Sequence, residues 1–180
     1  MPHISTTSQF KLSQSLSLRL VPQRLYLLNG RTPAVNASLG RLFKLSVQNL
    51  RGYLEIRDAS LHSNLATFAG VVAAQRSVQC RQLATMVRYI DSTTVRATED
   101  AAALGIVWKK ALLELQRDNL RRFSSYVSIA EHRLEYAFLT EANKLVSASI
   151  REQLHGIAVN VFSARDRFEE LMTESFLELA

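Results

Sequence analysis

No proline follows Pro33, so the 147 residues from Ala34 to the C terminus lack the residue most hostile to helices. A proline in a helix interior costs about 3 kcal/mol, because it removes a hydrogen bond and clashes with the preceding turn. A chain of this length can bury one substantial core. With breakers absent from four-fifths of it, the expected class is all-α, built from a few long helices.

The periodicity agrees. Ile150, Leu154, Ile157, Val161, Ala164, Phe168 and Leu171 step alternately by four and three residues. That spacing puts them on one helical stripe that a neighbouring helix can cover. Leu120, Phe123, Val127, Ala130, Leu134 and Ala137 repeat the pattern. Five helices are expected. The first starts at Asn36 or Ser38, either of which can cap it, and runs to Ala59. Its stripe is Leu39, Phe43, Val47, Leu50 and Leu54, widened by Leu42 and Leu45. Gly52 within it costs about 1 kcal/mol of helix propensity and admits the close approach of another helix. The second runs from Leu61 to Ile90. The third is capped by Thr98, with Glu99 and Asp100 in its first turn, and ends between Arg117 and Asn119; Trp108 is its core anchor. The fourth spans Leu120–Glu141 and the fifth Leu145–Leu177, with Asn143 as the break.

Met1–Val35 differs from the rest. It holds all three prolines, is rich in Ser and Thr, and has no acidic residue. It reads as a disordered basic arm or, alternatively, a cleavable targeting segment; residues 36–180 form the helical domain. The net charge of +6 belongs to this end: residues 1–54 carry seven Lys or Arg and no acid, while the 15 basic and 16 acidic residues beyond nearly cancel. No aromatic-plus-basic constellation or helix-turn-helix signature accompanies it, so no specific nucleic acid is expected as partner. Residues 1–54 leave open weak binding to an anionic surface. Cys80 is the only cysteine, which fits a reducing compartment and a cytoplasmic location. No apolar run reaches the length of a membrane span.

Three passages carry a family resemblance. Leu104-Gly105-Ile106-Val107-Trp108-Lys109-Lys110-Ala111-Leu112 and Ala130-Glu131-His132-Arg133-Leu134-Glu135-Tyr136-Ala137-Phe138 resemble stretches of an uncharacterised bacterial branch of the ferritin-like four-helix proteins. Leu50-Arg51-Gly52-Tyr53 is similar to a Gly-aromatic pair in that family's first helix. The resemblance covers residues 38–176. It implies two antiparallel helix pairs joined by a long crossover, which Glu99–Arg117 would span. It implies a fold more than an activity.

Ferritin-like di-iron sites take a Glu from each of two helices and a Glu-x-x-His from each of the other two. The only such motif here is Glu152-Gln153-Leu154-His155. Glu55 and either Glu131 or Glu135 could complete part of a set. The second helix offers no carboxylate or histidine between Leu65 and Ile90; its inward candidates are Gln75, Arg76 and Gln79. An arginine repels a metal ion, so no metal is favoured, and Arg76 is expected to pair with Glu131 or Glu135 across the bundle. No nucleophile elbow, phosphate loop or metalloprotease motif is present. The expectation is a non-catalytic structural or interaction protein. It would form a homo-oligomer, since Phe162, Met172 and Phe176 lie beside the main seam. The alternatives are a di-iron oxidase or iron-storage protein using Glu55, Glu131, Glu135, Glu152 and His155, and an amphipathic coat on lipid or polymer granules.

Overall fold

The computed structural model describes residues 33–87, 95–145 and 147–178. Five helices account for nearly all of them: α1 (Pro33–Ala59), α2 (Ser63–Met86), α3 (Val95–Gln116), α4 (Leu120–Asn143) and α5 (Ala148–Glu178). No strand occurs among the described residues. None of the described helices is long and apolar enough to cross a membrane.

Several element boundaries differ from those expected; α2 starts at Ser63 and α5 at Ala148, two and three residues late. Helix α1 starts at Pro33, ahead of Asn36 and Ser38, so neither of those residues caps it. A proline suits the first helical position, where its missing N–H has no partner to lose. Helix α3 starts at Val95, which leaves Thr98 inside the helix and Glu99 and Asp100 beyond its first turn. Helix α2 ends at Met86, where the backbone of Val87 turns extended and its N–H returns to the Leu83 carbonyl. The rest of the arm, with its basic residues, lies outside the described residues, as do residues 88–94.

Helix α1 packs against α2, α3 and α4; α4 packs against α5 and α3; α2 touches α5. Helices α1, α2, α5 and α4 are thus neighbours in a closed cycle, and α3 lies along α1 and α4. The connections within the cycle are short: Ser60–His62 between α1 and α2, and Lys144–Ser147 between α4 and α5. Arg117–Asn119 joins α3 to α4. Asp118 there has φ 55°, and the Asn119 side chain caps α4 by accepting from the Arg122 N–H at 3.3 Å.

The seams of α4 and α5 are buried along their lengths, apart from Leu171, which is half-buried. The stripe of α1 is rotated from the one expected. Leu39, Leu42, Leu45, Ser46, Asn49, Tyr53 and Ile56 are buried, whereas Phe43, Val47, Leu50 and Leu54 are only half-buried. Two polar residues, Ser46 and Asn49, therefore sit on the core face. Aromatic rings knit the other end of the core: Phe168 meets Phe68 at 5.8 Å and Phe123 at 5.9 Å, and Tyr53 meets Trp108 edge-on at 5.1 Å. Edge-to-face pairs of this kind add about 1 kcal/mol beyond the area they bury.

Candidate functional site

Buried polar residues from α1, α2 and α4, namely Asn49, Gln79 and Glu131, converge on one guanidinium. Arg76, on α2, is fully buried, as is Glu131 on α4. Arg76 Nη2 donates to Glu131 Oε2 at 2.7 Å. Its Nε donates to Asn49 Oδ1 of α1 at 3.0 Å, and Nη1 donates to Gln79 Oε1, one turn along α2, at 3.1 Å. The planar fork of an arginine suits this role, since it presents donors in several directions at once and stays charged at any accessible pH. The backbones of α2 and α4 are not in contact, so the long Arg76 side chain spans the diagonal of the helix cycle.

The cluster is costly to build. Each of two charges removed from water loses several kcal/mol of solvation, which their attraction offsets only when hydrogen bonds satisfy both groups. Arg76 has three such bonds, from all three of its nitrogens. Glu131 Oε1, Asn49 Nδ2, Gln79 Nε2 and the Tyr53 hydroxyl, all buried, make no hydrogen bond among the described residues. Tyr53 neighbours the carboxylate without bonding to it. Burial first, and then the charge of Glu131, push its phenol well above the ordinary range, with Arg76 opposing. Tyr53 therefore stays neutral at ordinary pH.

The residues proposed from sequence separate into two groups. Arg76 and Glu131 are brought together. Glu55, Glu152 and His155 are exposed, and Glu135 is half-buried, bound to Arg165 of α5 at 2.6 Å. His132 is exposed beside it, 4.0 Å from the same carboxylate. The five-residue ligand set is not assembled, and no group of three or more His, Cys, Asp or Glu poised for a metal occurs among the described residues. Arg76 and Gln79 sit at i, i+3 on α2, facing Glu131 and Asn49. A permanent cation, two amides engaged through their oxygens and a single carboxylate are a poor donor set for iron. The residues present do not fit the di-iron group.

Sequence reading missed Asn49 and Tyr53. Both lie on the rotated stripe of α1, at spacings of three and four from Leu42, Ser46 and Ile56. A search that let polar residues count as core positions would have found them. Met172, expected beside the seam, is buried by its own chain. The Phe162 ring is partly exposed and carries the Arg165 guanidinium 4.7 Å above it. The side chain of Phe176 lies outside the described residues. Trp108 is 2% exposed, and the indole faces Gly52 on α1.

A second charged cluster ties the start of α1 to α3 and α4. Arg41 Nε donates to Asp100 at 2.6 Å and its Nη1 to Glu141 Oε1 at 2.5 Å. Ser38 Oγ donates to Glu141 Oε2 at 2.6 Å, and Lys144 Nζ to Oε1 at 3.0 Å. Burial alone would raise the pKa of Glu141. The hydrogen bonds from Ser38, Lys144 and Arg41 outweigh it and hold the carboxyl below its usual range.

No protein-family model, curated protein or solved structure matches the chain.

Proposed function

We propose that this chain is a ferritin-like, antiparallel four-helix bundle, with α3 as its crossover, acting as a structural or interaction protein and not as a metalloenzyme. The observation that carries the reading is the Arg76–Glu131 pair, fully buried and held at 2.7 Å. Ferritin-like metal sites lie among four helices and are held by inward carboxylates and histidines. Here the inward polar residues are Asn49, Arg76, Gln79 and Glu131, so a protein cation takes the role of counter-ion to the carboxylate. The cyclic order of neighbours α1, α2, α5 and α4, with a separate helix between the two pairs in sequence, supports the bundle.

The iron-dependent reading would need Glu55, Glu152 and His155 to turn inward from exposed positions. The deciding experiment is metal analysis of protein purified without chelator and then incubated with ferrous iron. The expected stoichiometry is near zero. About two irons per chain, as a ferritin-like di-iron site would hold, would overturn the proposal.

A further inference from the structure

Helix α2 carries a second seam, on the side away from the core. Thr67, Val71, Ala74, Val78, Arg81 and Thr85 are all exposed and step by four, three, four, three and four residues. Val71 is 48% exposed and Val78 44%. The seam is flanked by Gly70 and Ser77 on one edge and Gln75 on the other. From Ser63 to Cys80 the only charged residue is Arg76, and that one is buried. An exposed face about 25 Å long, at 1.5 Å per residue, therefore carries no charge of its own, and the charged side chain of Arg57, on α1, lies at its Gly70 edge. Every other helix bears charges on its exposed side: Arg51 and Glu55 on α1, Lys109 and Lys110 on α3, Arg121 and Arg133 on α4, Arg151 and Glu152 on α5. An uncharged helix face that presents Val71, Ala74 and Val78 is suited to being covered by another such face. Among the described residues the backbone of α2 packs against α1 and α5 alone, and its one bond to α4 runs through the inward Arg76, so none of the described helices covers this face.

We infer that α2 is a homodimer interface, in which the Thr67–Val78 seam packs antiparallel against the same seam of a second copy. Charge decides both the occupant and the direction. An uncharged face pairs best with another uncharged face, because burying an unpaired charge is strongly unfavourable. Among the described helices the only such face is α2 itself, so the contact is isologous and closes as a two-fold dimer. With the two-fold axis near Ala74, Val71 of one copy meets Val78 of the other. Arg81 falls level with the partner's Thr67, at the end of the contact, where its long side chain reaches water. A parallel pairing would set Arg81 against Arg81. The small side chain of Ala74 lets the two helices approach to the short end of the usual 8–10 Å interaxial distance. The inference rests on the reading of the chain as an interaction protein, and it names the surface and the partner.

The test is sedimentation of the full chain, alone and with Val71→Glu and Val78→Glu, together with oxidative crosslinking of Ala74→Cys. Both valines are exposed in the single chain, so the glutamates should leave the far-UV circular dichroism spectrum, and hence the fold, unchanged. The expected result is a dimer that each glutamate converts to monomer, and a disulfide between two chains of the Ala74→Cys variant that an exposed control, Ala103→Cys, does not form. Native Cys80 is buried, and its thiol is pushed up to about 11 by burial, with Arg76 opposing, so it will not interfere. Three results would overturn the inference. One is a dimer insensitive to both glutamates that forms no crosslink through the introduced thiol, which would place the contact elsewhere. Another is a monomer in which that thiol reacts freely with a thiol reagent, leaving the face bare. The last is a monomer in which the introduced thiol is protected, which would assign the cover to residues 1–32 of the same chain. A monomer that binds no iron sinks the interface alone; a dimer that binds iron sinks the metal-free reading alone.

Discussion

The Cα of Gly52 on α1 faces the indole of Trp108 on α3 so closely that a Cβ there would overlap the ring at Cδ2. The contact is a matter of space, since Gly52 lies within a regular helix. It sets how near α3 can come to α1. Gly52→Ala is expected to destabilise the protein by about 2 kcal/mol, because overpacking of about 1–3 kcal/mol outweighs alanine's gain in helix propensity. Urea unfolding of Gly52→Ala, and of Gly52→Ala with Trp108→Leu, would check this. The second variant should recover part of the loss; equal stability of wild type and Gly52→Ala would refute the account.

Removing one member of the central pair should cost far more than removing both. Arg76→Met leaves Glu131 buried without its cation and is expected to cost about 3–5 kcal/mol. Arg76→Met with Glu131→Leu should recover most of that, since a well-packed apolar pair often equals a buried ion pair in stability. A double-mutant cycle by chemical denaturation measures the coupling. An Arg76→Met protein as stable as wild type would mean that the carboxylate has found another partner.

Acid should weaken the junction of α1, α3 and α4 through Glu141. Its pKa is lower folded than unfolded, so its contribution is complete above the unfolded value and disappears as pH falls through the folded one. Glu141→Gln is expected to cost about 2 kcal/mol at neutral pH, the usual worth of charge-assisted hydrogen bonds. The difference from wild type should shrink below about pH 4, where the free carboxyl begins to protonate. Stability curves of the two proteins from neutral to acid pH provide the check; a constant difference would remove Glu141 as the titrating group.

Asp118, at φ 55°, occupies a conformation that disfavours side chains with a Cβ. Asp118→Gly is expected to be neutral or to add up to about 1 kcal/mol, with the strain relieved but the contact to His62 Nε2 at 3.1 Å lost. Asp118→Val should lose about 1–2 kcal/mol, because a branched Cβ fits this region worst. Thermal melts rank the three proteins, and a valine variant at or above wild type would contradict the strain.

The helices were legible because their signals are local. The four-three spacing of α4 and α5 needs no partner to be recognised, and their seams are buried as that spacing implies. The orientation of α1 was not legible. Phe43, Val47, Leu50 and Leu54 make the more hydrophobic stripe, yet Ser46, Asn49 and Tyr53 face the core. Asn49 is there because Arg76, 27 residues further on, needs an acceptor for Nε. A stripe chosen by apolarity alone rejects such a residue. Arg76 itself was legible as an inward cation, because α2 offers no carboxylate at that level. Its three acceptors lie on three helices, and no local pattern could have joined them. The corrected starts of α1 and α3 have a simpler cause: both helices extend past the residues that could have capped them.

The diagonal placement of Arg76 and Glu131 also fixes how far the two helix pairs can slide. The guanidinium finds acceptors on α1, α2 and α4 at one axial level only. A shift of α4 along α2 by one turn, about 5.4 Å, would set aliphatic side chains against aliphatic side chains with little loss. The same shift would strand two opposite charges in an apolar interior. The apolar seams tolerate many offsets, and the single ion pair selects among them, as a key bit selects one depth in a lock.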